Sequence, residues 1–301
     1  RGTSPRMTPV ARLTQSQISK SFIQACLTEV RALKPGNVHI FAGGHGMQVA
    51  DFETSARAAA PHISNPELRV GERILKSVEA TFAAVHCNTN LGILLLCAPL
   101  AMAAEVPAIN RTSLQARLKQ ILADLTDDDT RNVFQAIARA TPGGLGDASE
   151  GDVRKAPRAG MTLLHAMQLA APRDLIAVEY TTGFERIFDL AGLLDRSQQG
   201  EDWSVEDALA AAYIRLLGRV YDTHIARKHG LTKAIEVRDR AIKLQQRLSM
   251  SYERRPSHPE VHRELLAFDA ELKAEGLNPG TLADLIAAAA FIHNLNTAQI
   301  A

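Results

Sequence analysis

Apolar residues return at three- and four-residue steps along almost the whole of this chain. Ile18, Phe22, Cys26 and Leu33 mark one stripe, and Val70, Ile74, Val78, Phe82 and Val85 mark another. Leu209, Tyr213, Leu216, Leu217 and Val220 mark a third. That spacing gathers side chains on one face of a helix with 3.6 residues per turn and cannot be laid on a pleated strand. Alternating apolar–polar runs and Asn-Gly hairpin turns are absent from the sequence. The expected fold is all-α, a single multi-helix domain whose polar and Gly-rich breaks between helices form one cleft. Helices are expected at residues 15–33, 50–60, 70–85, 91–104, 130–140, 161–171, 176–195, 204–228, 231–250, 258–275 and 281–295. One more is expected after Thr112 or Ser113, carrying Leu114, Leu118, Ile121 and Leu122.

Composition supports helices. Aromatic residues make up only 5%, while 46% of the chain is hydrophobic, so Ala and Leu carry the apolar mass. These residues suit close-packed helices better than a sandwich or barrel. The domain is expected to cover residues 15–301. Residues 1–14 are expected to be a disordered end, or one added or left by processing, with Met7 as the native start.

The 34 Lys and Arg residues nearly cancel the 33 Asp and Glu, leaving +1 at pH 7. A balanced chain gives no global case for nucleic acid or an anionic membrane. The longest apolar stretch, Leu91–Ala104, falls short of the ~20 residues a membrane span needs and reads as a buried helix. Three cysteines cannot form a disulfide framework, so a reducing cytoplasm is the expected compartment. Cys26 and Cys97 read as core filler.

Chemistry-bearing residues collect at the breaks. Glu29 sits on an apolar stripe, where a carboxylate is costly unless paired or metal-bound, and Lys34, Asn37 and His39 follow it. His86-Cys-Asn-Thr-Asn90 interrupts two apolar helices. Gly143-Gly-Leu-Gly146-Asp147 offers converging N–H groups, but no strand precedes it and no Gly-Lys-Ser/Thr ending follows. Asp222 sits with His224, Arg227 and Lys228 within about a turn and a half of helix. Asn278-Pro-Gly280 opens the last helix, with Thr281 and Asp284 spaced as a capping box. Zinc and serine-hydrolase motifs are absent from the sequence.

Taken in order, these motifs resemble the triphosphoribosyl-dephospho-CoA synthase family across roughly residues 20–295. The segments are Glu29…Lys34-Pro-Gly-Asn-Val-His39, Gly44-His45-Gly-Met47…Asp51-Phe…Ser55 and Asn88-Thr-Asn90-Leu-Gly92. They continue with Gly143-Gly144-Leu-Gly146-Asp147, Asp222-Thr223 and Asn278-Pro-Gly…Ala283-Asp-Leu285. The resemblance implies an all-helical enzyme that joins ATP to 3′-dephospho-CoA and releases adenine. The acceptor's 2′-hydroxyl attacks C1′ of the ATP ribose. It also implies Mg²⁺ on the triphosphate, with Glu29, Asp51, Asp147 and Asp222 as metal ligands and Glu29, Asp51 and Asp222 as catalytic carboxylates. Lys34, Arg227 and Lys228 would face phosphates, and the 143–147 loop would donate N–H groups. Asn37, His39, His45, Asn88, Asn90, His224 and Asn278 complete the implied substrate-binding set.

Two motifs depart from the family pattern. Its Asn-Thr-His-Lys-Gly stands here as Asn88-Thr89-Asn90-Leu91-Gly92, and its Asp-Asp-Thr-Asn as Tyr221-Asp222-Thr223-His224. The chain therefore reads as a divergent branch, a Mg²⁺-dependent transferase acting on ATP or a related phosphoribosyl donor and a coenzyme precursor. One alternative is another step of coenzyme assembly, such as that of the methanopterin or methanofuran one-carbon carriers. A second is a non-catalytic binding protein, whose mark would be Glu29 in an internal salt bridge and breaks that lie apart. A third is a helical hydrolase. The expected partner is a small-molecule nucleotide or coenzyme substrate, and a homodimer is left open. With few rings to stack on adenine, recognition is expected through phosphates, metal and backbone amides.

Overall fold

The computed structural model of the protein describes residues 12–107, 113–142, 155–158, 160–200, 203–248 and 255–300. Among them, fourteen helices account for the regular structure. They are α1 (Gln15–Arg31), α2 (Val49–Ile63), α3 (Val70–Val85), α4 (Leu91–Glu105), α5 (Leu114–Ala123), α6 (Asp127–Ala140) and α7 (Leu163–Ala170). The rest are α8 (Leu175–Thr182), α9 (Glu185–Gly200), α10 (Val205–Leu217), α11 (Thr223–His229), α12 (Leu231–Leu248), α13 (Pro259–Ala274) and α14 (Gly280–Ile300). Extended pairing among the described residues is limited to two isolated bridges, His39 with Ala42 and Gly44 with Met47.

The helix starts follow local chemistry. Thr14, Ser113, Thr126, Thr162, Asp174, Ser204 and Asp222 each accept a backbone N–H from the first turn that follows. Such caps satisfy donors that have no partner inside the helix. Thr14 caps α1, and Leu13 before it is buried with its N–H bonded to Ala104 O.

Two long apolar helices organise the core. α4 buries nearly every residue, and α14 runs against α1, α4, α9 and α10. Cys26 and Cys97 are buried in this core, and all three cysteines are free. Pro99 lies inside α4, where its missing N–H leaves the carbonyl of Leu95 without a helical donor. The Tyr180 hydroxyl donates to that carbonyl at 2.6 Å. Pro61 was expected to lie beyond α2 but falls in its last turn, where its missing N–H leaves the carbonyl of Arg57 without a helical donor. Ile63 beyond it is fully buried, and its carbonyl accepts from the buried Arg73.

Two expected helices are split. Residues 176–195 break at Gly183, which adopts the left-handed conformation after α8. Phe184 follows with φ 62° and is fully buried. Residues 204–228 break at Gly218, and Asp222 then starts α11. That second break changes what Asp222 does. The carboxylate is not at a helix C-terminus but caps one helix start with Oδ1 (Ile225 N, 2.9 Å) and a second with Oδ2 (Leu282 N, 2.9 Å).

Among the described residues, no helix is long and apolar enough to cross a membrane.

Candidate active site

Five breaks between helices meet at one cavity of about 800 Å³. Glu29 enters from the last turn of α1, and Asn37, His45 and Met47 from the loop after it. Cys87–Gly92 come from the α3–α4 break, and Arg173 and Asp174 from the approach to α8. Tyr221, His224, Arg227 and Lys228 come from around α11, and Asn278, Gly280, Thr281 and Asp284 from the start of α14. α6 and α7 add an apolar wall of Phe134, Ile137, Leu163 and Met167. Such a cavity has the size and mixed lining of a site for a nucleotide-sized ligand, roughly 300–1,000 Å³.

The α1 turn is held rigidly. Gly36 has φ 85°, and a Cβ there would meet Pro279 Cδ at 2.8 Å. Its N–H donates to Asp269 Oδ1 at 2.8 Å. Asn37 Nδ2 donates to Asn278 Oδ1 at 2.8 Å, tying the first break to the last. The His45 ring sits 2.8 Å from the carbonyl of Gly36.

The electrostatics favour an anion beside carboxylates. α4, α8 and α14 all present first-turn residues to the cavity, and helix starts carry partial positive charge. Asn90 precedes α4 without a side-chain capping bond, and its Oδ1 instead accepts from Thr81. Arg227 lies 3.6 Å from Asp174 and adds a cation. Burial, then Arg227, Lys228, His45 and His229, pulls His224 down to about 3, so this ring is neutral at pH 7. Its Nδ1 faces Arg227 at 3.4 Å, and its Nε2 has no partner among the described residues.

Three carboxyls line the cavity in different states. Glu29 pairs with Lys34 at 3.0 Å, and both are buried. Burial pushes Glu29 up from the usual carboxylate range and Lys34 down from the usual amine range, and their mutual attraction opposes both shifts. Asp174 Oδ1 caps α8 through Ile176 N and Ala177 N. Asp284 makes no hydrogen bond or ion pair with any described residue. Burial, then the charges of Glu29, Asp222 and Asp174, raises it well above the usual carboxylate range.

The model of the ATP:dephospho-CoA triphosphoribosyl transferase family, CitG, matches residues 15–300. The chain belongs to the CitG family. CitG-family proteins are transferases, and this protein is an enzyme of that class. Its fold is similar to that of a solved structure from Archaeoglobus fulgidus, provisionally assigned as a triphosphoribosyl-dephospho-CoA synthase. The two are 24% identical with a TM-score of 0.61, over 79% of this chain and 96% of that one. A search of curated proteins found no match.

Within this CitG-family chain, the expected site residues separate into those at the cavity and those beneath it. Glu29, Asn37, His45, Asn88, Asn90, His224, Arg227, Lys228 and Asn278 line it. Lys34 does not, because it is fully buried and donates to Val38 O at 2.6 Å as well as to Glu29. His39 does not either; it is fully buried and faces Asp269 at 3.2 Å. Asp51 accepts from Gln48 N at 2.7 Å at the start of α2. Asp222 has both oxygens on helix starts, as described above. Asp51 and Asp222, expected as metal ligands and catalytic carboxylates, have carboxyl oxygens engaged at helix starts, Asp51 at α2 and Asp222 at α11 and α14. Gly143, Gly144, Gly146 and Asp147 lie outside the described residues. Among the described residues, no three His, Cys, Asp or Glu side chains gather to hold a metal.

Glu29 in an internal salt bridge was one mark of the non-catalytic reading, but the described breaks converge on one cavity, which counts strongly against it. Sequence reasoning missed Asp284 and Asp174. The signal for Asp284 was available, since it is the one Asp, Glu, Lys or Arg in Gly280–Ile300. Thr281 does not form the expected box with it, because its hydroxyl meets Thr223 Oγ1 at 3.2 Å.

Proposed function

We propose that this enzyme takes ATP as Mg–ATP, transfers its triphosphoribosyl group to a hydroxyl of a dephospho-CoA-type acceptor, and releases adenine. The observation that carries this reading is the meeting of three helix starts and the cations Arg173, Arg227 and Lys228 with carboxyls in one cavity. Helix starts and cations suit a triphosphate, and a carboxyl suits the proton transfer that a hydroxyl nucleophile needs. Mg²⁺ carried by phosphates takes at most one or two protein carboxylates, so no protein-built cage is required. The metal neutralises phosphate charge when it arrives with the nucleotide.

In this reading Glu29, backed by Lys34, takes the proton of the attacking hydroxyl. Arg227 and Lys228 hold phosphates, and the loop carrying Asn37 and His45 positions the ribose. Asn90 and Leu91, which replace the family's His and Lys, bring no cation to the α4 start, where Asn88 Oδ1 accepts the Leu91 N–H at 3.1 Å.

Chromatography of Mg–ATP reactions tests the reading. Adenine release that depends on dephospho-CoA, with a joined product by mass spectrometry, is the expected result. Adenine without a joined product would instead make the protein a hydrolase. No adenine with dephospho-CoA or with methanopterin- or methanofuran-type precursors would refute triphosphoribosyl transfer.

A further inference from the structure

Two carboxyl groups set deep in the cavity differ in one respect. Glu29 has an ammonium at 3.0 Å, and Asp284 has no cation or N–H donor among the described residues. A deep carboxyl without a partner is costly as an anion and stays neutral unless a ligand compensates it. Asp284 is partly exposed, lines the cavity, and crowds the start of α4. A Cβ on Gly92 would lie 2.0 Å from its Oδ2, so only glycine leaves room for it.

We propose that Asp284 is the general acid of the reaction and donates its proton to the departing adenine. The assignment rests on the transfer reading given above. When the acceptor oxygen bonds to C1′, the C1′–N9 bond breaks and its electron pair moves into the purine. Protonation of a ring nitrogen by Asp284 lets the base leave as neutral adenine. Glu29 takes the hydroxyl proton, so one carboxyl gains a proton as the other loses one. Solvent exchange then resets both, and the reaction releases no net proton. Two carboxyls whose surroundings push them apart are the usual arrangement for dividing acid and base roles.

The groups that act on Asp284 are named by the fold. Glu29 and Cys26 lie on α1, Cys97 on α4, Asp174 before α8, and Asp222 and Arg227 around α11. Three are carboxylates, and they oppose its ionisation, while Arg227 favours it.

The test uses Asp284→Asn with two donors. With Mg–ATP the variant should bind normally by calorimetry but turn over at least about a hundredfold more slowly. The wild type should lose activity on the alkaline side as the acid deprotonates, and the variant should lose that limb. With 7-methyl-ATP, whose base is already cationic, wild type and D284N should turn over within a few-fold of each other. E29Q should not be rescued this way. Equal losses with both donors, or full activity of D284N on ATP, would overturn the proposal. Difference infrared spectra give a readout independent of turnover. Wild type at pH 7 should show the band of a neutral carboxylic acid that D284N lacks, and its absence overturns the proposal. A wild type that releases no adenine at all but shows the band would sink the transfer reading and with it the acid role, while leaving the neutral carboxyl itself established.

Discussion

Replacing Lys34 by Met tests the internal ion pair that holds Glu29 at the cavity. The ammonium lies 3.0 Å from the carboxylate, and the two side chains are 0% and 3% exposed, so solvent cannot take over the charge. Removing one member of such a buried pair costs about 3–5 kcal/mol, because the other charge is left uncompensated. Replacing both by apolar residues of similar volume is often neutral or favourable. Lys34→Met should therefore lose about 3–5 kcal/mol in urea unfolding at pH 8, and K34M/E29M should recover most of it. The pH dependence follows from Glu29. Losing the cation raises its folded pKa further, so the penalty is absent below its unfolded pKa and grows as pH rises. The K34M loss should thus be smaller at pH 5 than at pH 8. A K34M protein within about 1 kcal/mol of wild type at pH 8, or a double variant no better than the single, would refute the reasoning. Cavity water would then be screening Glu29.

Three further outcomes follow from the same geometry. Tyr180→Phe strands the carbonyl freed by Pro99 and should cost about 1–3 kcal/mol. P99A/Y180F supplies a helical N–H and should lose less than Y180F by denaturant unfolding. Asp222→Ala removes caps from α11 and α14 together and should destabilise by about 2 kcal/mol, read by thermal unfolding. A drop in activity at unchanged stability would instead make Asp222 catalytic. Glu179→Gln probes a carboxyl that burial raises to about 7, with Arg186 only partly offsetting it. A raised carboxyl costs nothing below its unfolded pKa of 4.5 and progressively more up to about 7, so the variant should gain stability on wild type as pH rises between those values. A difference that stays flat across that range would refute the assignment.

The helices were legible because the core imposes a period on the sequence. Val70, Ile74 and Val78 announce α3 as plainly as their burial confirms it. The fully apolar α4 and α14 were legible as well, since a helix without a polar face has to be buried. The split at Gly218 was not, because apolar residues continue across it through Val220 and Tyr221. Missing that split hid the capping bonds of Asp222, which reads from sequence as a catalytic carboxylate alone. The second group it caps, Leu282 N, lies sixty positions away in sequence. A local motif cannot report a partner brought in by tertiary folding.

The candidate site was legible as a set of breaks but not as a division of labour among them. Lys34 and His39 follow Glu29 in sequence, so the turn reads as one polar cluster facing a ligand. The fold points only part of it outward. Glu29, Asn37 and His45 reach the cavity, while Lys34 and His39 face inward, Lys34 paired with Glu29 and the His39 ring 3.2 Å from Asp269, whose cation is Lys273. Two of the cations that do reach the cavity, Arg227 and Lys228, sit at the end of a short helix. There they also complement its C-terminus, which is why their ligand role is hard to read from sequence. Under the proposals above Glu29 and Asp284 do the chemistry, while the carboxyls of Asp51 and Asp222, engaged at the starts of α2, α11 and α14, hold the frame around them.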